Sequence, residues 1–112
     1  MFDNTNPSIL IFKNGEKIIS YLQEAYSEED SSKGICIIIN YPYLLHFIEQ
    51  DDSTEVKIKF EKWCPFSVSG SFKIPYDSVL SIGEPDANIS ATYSEKIQDY
   101  LKTQQVENDQ VN

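Results

Sequence analysis

Residues 9–26 read Ile9-Leu10-Ile11-Phe12-Lys13-Asn14-Gly15-Glu16-Lys17-Ile18-Ile19-Ser20-Tyr21-Leu22-Gln23-Glu24-Ala25-Tyr26. A short apolar run meets Asn14-Gly15, and a second β-rich run follows at once. Both residues accept the positive φ that a type I′ turn demands, so the stretch predicts a hairpin. The second run, 16–26, extends well past its partner and must bend to pair with something further on. A short strand feeding a long bent one is how a small barrel begins.

Composition narrows the class. The chain has 112 residues, enough for one domain with at most a short tail. Its 40% hydrophobic and 12% aromatic content suffices for a real core. The net charge is −9, which repels nucleic acid at long range and argues against a general phosphate-backbone binder. All nine basic residues are Lys, so bidentate guanidinium forks for phosphate or guanine are absent. Cys36 and Cys64 sit in apolar or aromatic contexts and are expected as buried reduced thiols rather than a disulfide. The N-terminus lacks a charged start followed by an apolar core, so no signal peptide is expected. No apolar run approaches the roughly 20 residues needed to span a bilayer.

Working outward from the hairpin, residues 1–8 are polar, contain Pro7 and read as an arm. In the long strand Ile18, Ser20 and Leu22 share one face, and Ile19, Tyr21 and Gln23 the other. Residues 27–34 form an acidic loop. Residues 35–39 are five consecutive apolar positions, a run that needs cover on both faces, from this chain or from a neighbouring subunit. Asn40-Tyr41-Pro42 interrupts it, and Pro42 removes a ladder donor and marks a bend or bulge. Extended structure resumes over 43–50, and residues 51–54 form a second acidic turn. Residues 55–62 alternate cleanly, with Val56, Ile58 and Phe60 opposite Lys57, Lys59 and Glu61. Trp63-Cys64-Pro65-Phe66 ends that strand. Residues 67–71 read as a loop, 72–75 as extended, and 77–82 as a short last strand before Gly83-Glu84-Pro85. From Asn88 the period becomes 3.6, with Ile89, Tyr93, Ile97, Tyr100, Leu101 and Gln104 on one face and Asn88 or Ser90 as N-cap. This predicts a C-terminal amphipathic helix and then a frayed polar tail.

Candidate chemistry is sparse. His46 is the single histidine, and strand geometry puts Glu49 on the opposite face, so a metal pair is not expected. No serine lies in a nucleophile-elbow setting, no triad can be assembled, and no phosphate-binding glycine loop is present. The acidic clusters Glu28-Glu29-Asp30 and Asp51-Asp52 read as solvated turns rather than calcium ligands. Asn88-Ile89-Ser90 matches a glycosylation acceptor by chance. Tyr26, Tyr41, Tyr43 and Trp63 lie nearest the bends and could present faces to bases, although core packing is the default. Lys57 and Lys59, with Lys62 nearby, form the one basic concentration. Nothing looks catalytic, and neither cofactor nor metal is expected.

The segment from Lys13-Asn14-Gly15-Glu16 through Ile18, Ser20 and Leu22 resembles the first motif of Sm and Sm-like proteins, with Ser20 where that family usually carries Gly. The succession of a short strand, long strands and a short last strand fits the same family. A closer resemblance is to short Sm-like proteins of phage (cyanophage) origin. It covers about residues 9–100 and rests on the 13–16 turn, Asn40-Tyr41-Pro42, the Trp63-x-Pro65 step, Ile74-Pro75 and Glu84-Pro85. The resemblance implies a mainly β fold, an Sm-like five-stranded, strongly bent antiparallel open barrel, here followed by a C-terminal α-helix. It also implies homo-oligomeric rings of five to seven subunits joined through open strand edges. Three departures bear on function. Tyr26 stands where an Asp is expected, the family's Arg-Gly pair is missing, and the helix follows the barrel instead of preceding it.

The expected organisation is an arm at 1–8, a barrel at 9–85, a helix at 86–104 and a tail at 105–112. The expected function is a ring serving as a protein-interaction or assembly module, with the chain itself and phage proteins as partners. The alternative is a ring that binds single-stranded RNA through Asn40, Tyr41, Lys57 and Lys59. The resemblance places the protein in the cytoplasm of an infected host cell, with virion association as a further expectation and no membrane partner.

Overall fold

The computed structural model describes the backbone of residues 6–49 and 56–110 and the side chains of residues 6–48 and 57–103. Six strands form one antiparallel sheet: β1 (Ser8–Phe12), β2 (Lys17–Tyr26), β3 (Gly34–Glu49), β4 (Val56–Lys62), β5 (Ser71–Ile74) and β6 (Val79–Gly83). A 3₁₀ turn, Tyr76–Ser78, precedes β6, and a helix, α1 (Ala87–Gln110), follows it. The strand order is β4-β3-β2-β1-β6, with β5 also paired to β3. The mainly β class and the C-terminal helix are as the sequence predicts. The count and the closure differ: there are six strands rather than five, and the sheet is open, ending in β4 and β6 instead of curling into a strongly bent barrel.

The sixth strand arises on β3, which is 16 residues long. Its first half pairs with β5, Ile37 opposite Ile74 and Asn40 opposite Ser71. Its second half pairs with β4, Tyr43 opposite Lys62 and Leu45 opposite Phe60. Because β2 occupies the other edge of β3, β4 and β5 are two pieces of one interrupted strand. The ladder continues as far as Trp63, whose N–H bonds the Pro42 carbonyl at 3.2 Å, and resumes at Gly70, whose carbonyl accepts the Tyr41 N–H at 2.6 Å. Residues 64–69 are therefore looped out opposite the bend.

The hairpin at 13–15 forms, with a different turn. Phe12 and Glu16 close it through an N–H to carbonyl bond of 2.9 Å, and the Gly15 N–H returns to the Phe12 carbonyl at 2.9 Å. Gly15 has φ +91°, while Asn14 does not share that region. A type I′ turn needs positive φ at both residues, so this is instead a three-residue loop with Gly15 in the left-handed position. The Asn14 carboxamide supports it by accepting the Glu16 N–H at 2.9 Å.

Alternation along β2 divides the interior. Ile18 and Leu22 join Leu10, Phe12, Ile37, Ile39 and Ile74 in one buried cluster, flanked by Trp63 and Phe72. Ile19 faces the other way and packs with Tyr93 and Ile97 of α1, with Tyr21, Tyr43 and Phe60 around them. Both faces of the central strands are thus covered, and the helix is the cover on one. The 35–39 run is only partly covered, because Ile37 and Ile39 are buried whereas Ile35 is 58% exposed.

The helix is longer than the 86–104 expected, reaching Gln110, because 104–110 contains no Gly or Pro to stop it. Its N-cap is Asp86 rather than Asn88 or Ser90, with the carboxylate accepting the Ile89 N–H at 2.9 Å. The acidic turn expected at 51–54, most of the arm and the last two residues of the tail lie outside the described residues. Among the described residues no helix is long and apolar enough to cross a membrane.

Candidate functional site

The sheet bends where β3 carries Asn40-Tyr41-Pro42. Ser20 of β2 opposes two residues of β3 there, since the register shifts between Ile19–Tyr43 and Tyr21–Asn40. This bulge leaves Tyr41 at φ +55°, the sole non-glycine among the described residues with positive φ. Such a conformation costs on the order of 1–3 kcal/mol and persists only where surroundings hold it. Two buried hydroxyls do so. Ser20, fully buried, lies 2.9 Å from the Asn40 carbonyl and 3.0 Å from the Tyr21 carbonyl. The Tyr93 hydroxyl reaches down from α1 to the Tyr41 carbonyl at 2.8 Å and the Asn40 carbonyl at 3.2 Å. Burial, and then the neighbouring Tyr21, pushes the Tyr93 phenol well above its ordinary range, so it remains a donor at any working pH.

Asn40 and Tyr41 therefore belong to one place. The Asn40 side chain accepts from Ser71 at 2.7 Å and donates to Gln23 at 3.2 Å, tying β2, β3 and β5 together. The Tyr41 ring lies so close to Gly70 that a Cβ there would sit 2.5 Å from it, and it meets the Tyr100 ring at 6.0 Å. Beside them an open groove of about 610 Å³ runs between β2, β3 and α1, lined by Tyr21, Gln23, Asn40, Tyr41 and Gln98 among others. Lys57 and Lys59 are elsewhere. They pair with Ile48 and His46, five to eight residues further along β3 than Asn40 and Tyr41, which is roughly 17–26 Å of strand. The structure does not gather the four residues into one site.

His46 is an ordinary strand histidine with an unforeseen partner. Its Nε2 lies 2.8 Å from Glu61 of β4, a diagonal cross-strand pair that only the register reveals. Cys36 and Cys64 are not joined to each other, and both are half-buried rather than buried as expected. Among the described residues no cluster of His, Cys, Asp or Glu could hold a metal.

Tyr26, where the resemblance leads one to expect an Asp, belongs to a clasp. Glu24 accepts from Tyr26 at 3.1 Å and from Tyr76 on its other oxygen. The Glu24 bond, ahead of burial, pushes the Tyr76 phenol up to about 12. A phenol pKa raised on folding contributes stability that is complete below pH ~10 and is lost as pH rises toward the folded value. Ultraviolet titration of tyrosinate should show Tyr76 ionising late, and Glu24→Gln should return it toward its ordinary range. Unchanged titration in the variant would mean that Glu24 does not hold the phenol.

The sheet ends form a third region. Among the described residues β4 and β6 each have a single strand neighbour. In β6 the register slips between Ile11–Ser81 and Phe12–Val79, leaving Leu80 as the extra residue of a bulge. Leu80 is 68% exposed and Ile82 44%. Comparison of the chain with protein-family models and with curated proteins finds no match.

Proposed function

We propose that the protein is a phage-type, Sm-like subunit whose function is assembly: it forms a homo-oligomeric ring that serves as a platform for other proteins. The observation that carries this reading is the pair of open edges with opposite character. The β4 edge presents Lys57 and Lys59, both exposed, around Ile58 and Phe60. The β6 edge presents Leu80 and Ile82 within 75–86, a segment with Asp77, Glu84 and Asp86 and no basic residue. Unpaired edges are templates for pairing with another chain, and the complementary charge favours β4 of one subunit against β6 of the next. Such a contact is heterologous and closes into a ring when the rotation fits. The Sm-like motifs at 13–16 and 40–42 support the same reading.

Light scattering on the full chain at micromolar concentration tests it. A mass five to seven times the 12.9 kDa of one chain is expected, and a monomer mass would remove the proposal.

A second reading, single-stranded RNA binding, is favoured by the groove containing Asn40 and Tyr41, where amides and tyrosine rings lie together. The −9 charge and the distance to Lys57 and Lys59 weigh against it. Fluorescence anisotropy with U-rich and A-rich oligonucleotides at low and moderate salt decides: saturable binding with a base preference supports it, and no binding at low salt ends it.

A further inference from the structure

The looped-out residues 64–69 and the bend they face enclose a pocket of about 60 Å³ with α1 as its third wall. Tyr41, Tyr43 and Phe72 contribute from the sheet, Tyr100 from the helix, and Cys64 from the loop, with Lys62 at the end of β4. Lys62 is the one charged side chain of the lining, and its ammonium stands 4.5 Å from the centre of the Tyr100 ring. In a chain of net charge −9, a pocket lined by no carboxylate and one Lys selects for an anion. The aromatic walls select for a flat ring. A single water needs about 10–15 Å³, so the pocket has room for more than a water, as suits a ligand of one six-membered ring.

The backbone around the pocket is specialised in ways that core packing alone does not require. The ladder is interrupted at Pro42, Tyr41 is held in a strained conformation, and Gly70 leaves no room for a Cβ against the Tyr41 ring. Bulges and strain of this kind collect where side chains are re-aimed toward ligands. Tyr41-Pro42 and Cys64-Pro65, separate in sequence, meet here, and the strand-edge contact of the assembly reading does not account for their meeting.

We infer that this pocket binds a small planar ligand of one six-membered ring bearing an anionic group, held between Tyr41, Tyr43, Phe72 and Tyr100 with its charge toward Lys62. Apart from Lys62, which ends β4, the site lies outside the strand-pairing contact, and it goes beyond the assembly reading. Two sources share this chemistry, a free aromatic carboxylate and a pyrimidine nucleotide.

The probes are benzoate, benzyl alcohol as its neutral counterpart, and uridine 5′-monophosphate, each titrated into the full chain. Two signals report: fluorescence of Trp63, whose ring lies 5.4 Å from that of Phe72, and iodoacetamide alkylation of Cys64, with Cys36 as internal control. Benzoate is expected to saturate below about 10 mM, to protect Cys64 and not Cys36, and to bind at least about tenfold tighter than benzyl alcohol. Lys62→Gln, a change at an exposed side chain, should bring benzoate down to the level of benzyl alcohol. Its mass, measured alongside, separates loss of the ligand from loss of assembly. Gly70→Ala should abolish binding by driving the Tyr41 ring into the pocket, with Lys62→Gln deciding if that variant does not fold. Tighter binding of uridine 5′-monophosphate than of benzoate supports the pocket and assigns the nucleotide source; the reverse order supports it and assigns the free acid. No saturation by any probe, or equal affinity for benzoate and benzyl alcohol, overturns the inference.

Discussion

Tyr93→Ala should lower unfolding stability by about 3–5 kcal/mol, the range for removing a buried large aromatic side chain. A chain of this size commonly has 5–15 kcal/mol in total, so much of its margin would go. Tyr93 is fully buried and its ring meets Tyr21 at 5.2 Å and Tyr43 at 6.0 Å in edge contacts. Its loss would open a cavity between helix and sheet. It would also leave the Tyr41 carbonyl without the hydroxyl now 2.8 Å away. Tyr93→Phe isolates that second effect. It keeps the ring and should cost about 1–3 kcal/mol, the penalty for an unsatisfied buried acceptor. Urea unfolding followed by circular dichroism measures both. A neutral Tyr93→Phe would mean that Ser20 alone suffices to hold the bend, and that the helix only covers the sheet.

That hydroxyl marks the boundary between what the sequence discloses and what it does not. Strand positions, the two faces of β2 and the helical face carrying Ile89, Tyr93 and Ile97 follow from periods of 2 and 3.6, because local pattern and burial agree there. The hairpin at Asn14-Gly15 is equally legible, although its turn type is not. The same dipeptide serves a two-residue or a three-residue loop, and the register of β1 on β2 chooses between them. The extended stretches 55–62 and 72–75 and the break between them are legible along the chain, but that both pair with one edge of β3 is not. That depends on Pro42 lying opposite Trp63, a pairing of residues far apart in sequence. Ser20 reads as a small residue in an apolar strand, and nothing local foretells the two carbonyls that it satisfies. The candidate residues show the same limit. Asn40 and Tyr41 are marked by the proline beside them, and Lys57 and Lys59 by their alternation. Only the fold shows that the first pair shapes a groove while the second lies on an open edge.

That edge gives the sharpest expected result for assembly. Lys57→Glu with Lys59→Glu turns the β4 edge acidic and sets it against Asp77 and Glu84, which flank β6, in the next subunit. Like charges placed opposite across strands cost roughly 0.2–1 kcal/mol per pair, and a ring repeats the penalty at every interface. The mass should fall toward that of one chain, and more fully at low salt than at high salt, because exposed charges are screened. Asp77→Lys with Glu84→Lys should do the same from the other side, by making both edges basic. The two variants mixed together should assemble again. Each β4 edge then meets a β6 edge of opposite sign, but only when the two kinds of subunit alternate. Alternation permits closed rings with an even number of subunits and forbids odd ones, so a native ring of five or seven would have to change size or stay open. Light scattering of each variant and of the mixture reads all of this. If Lys57→Glu with Lys59→Glu keeps the native mass, the basic edge takes no part in assembly. If both variants dissociate and the mixture does not recover, the contact is not β4 against β6, and the complementary charge of the two edges has another use.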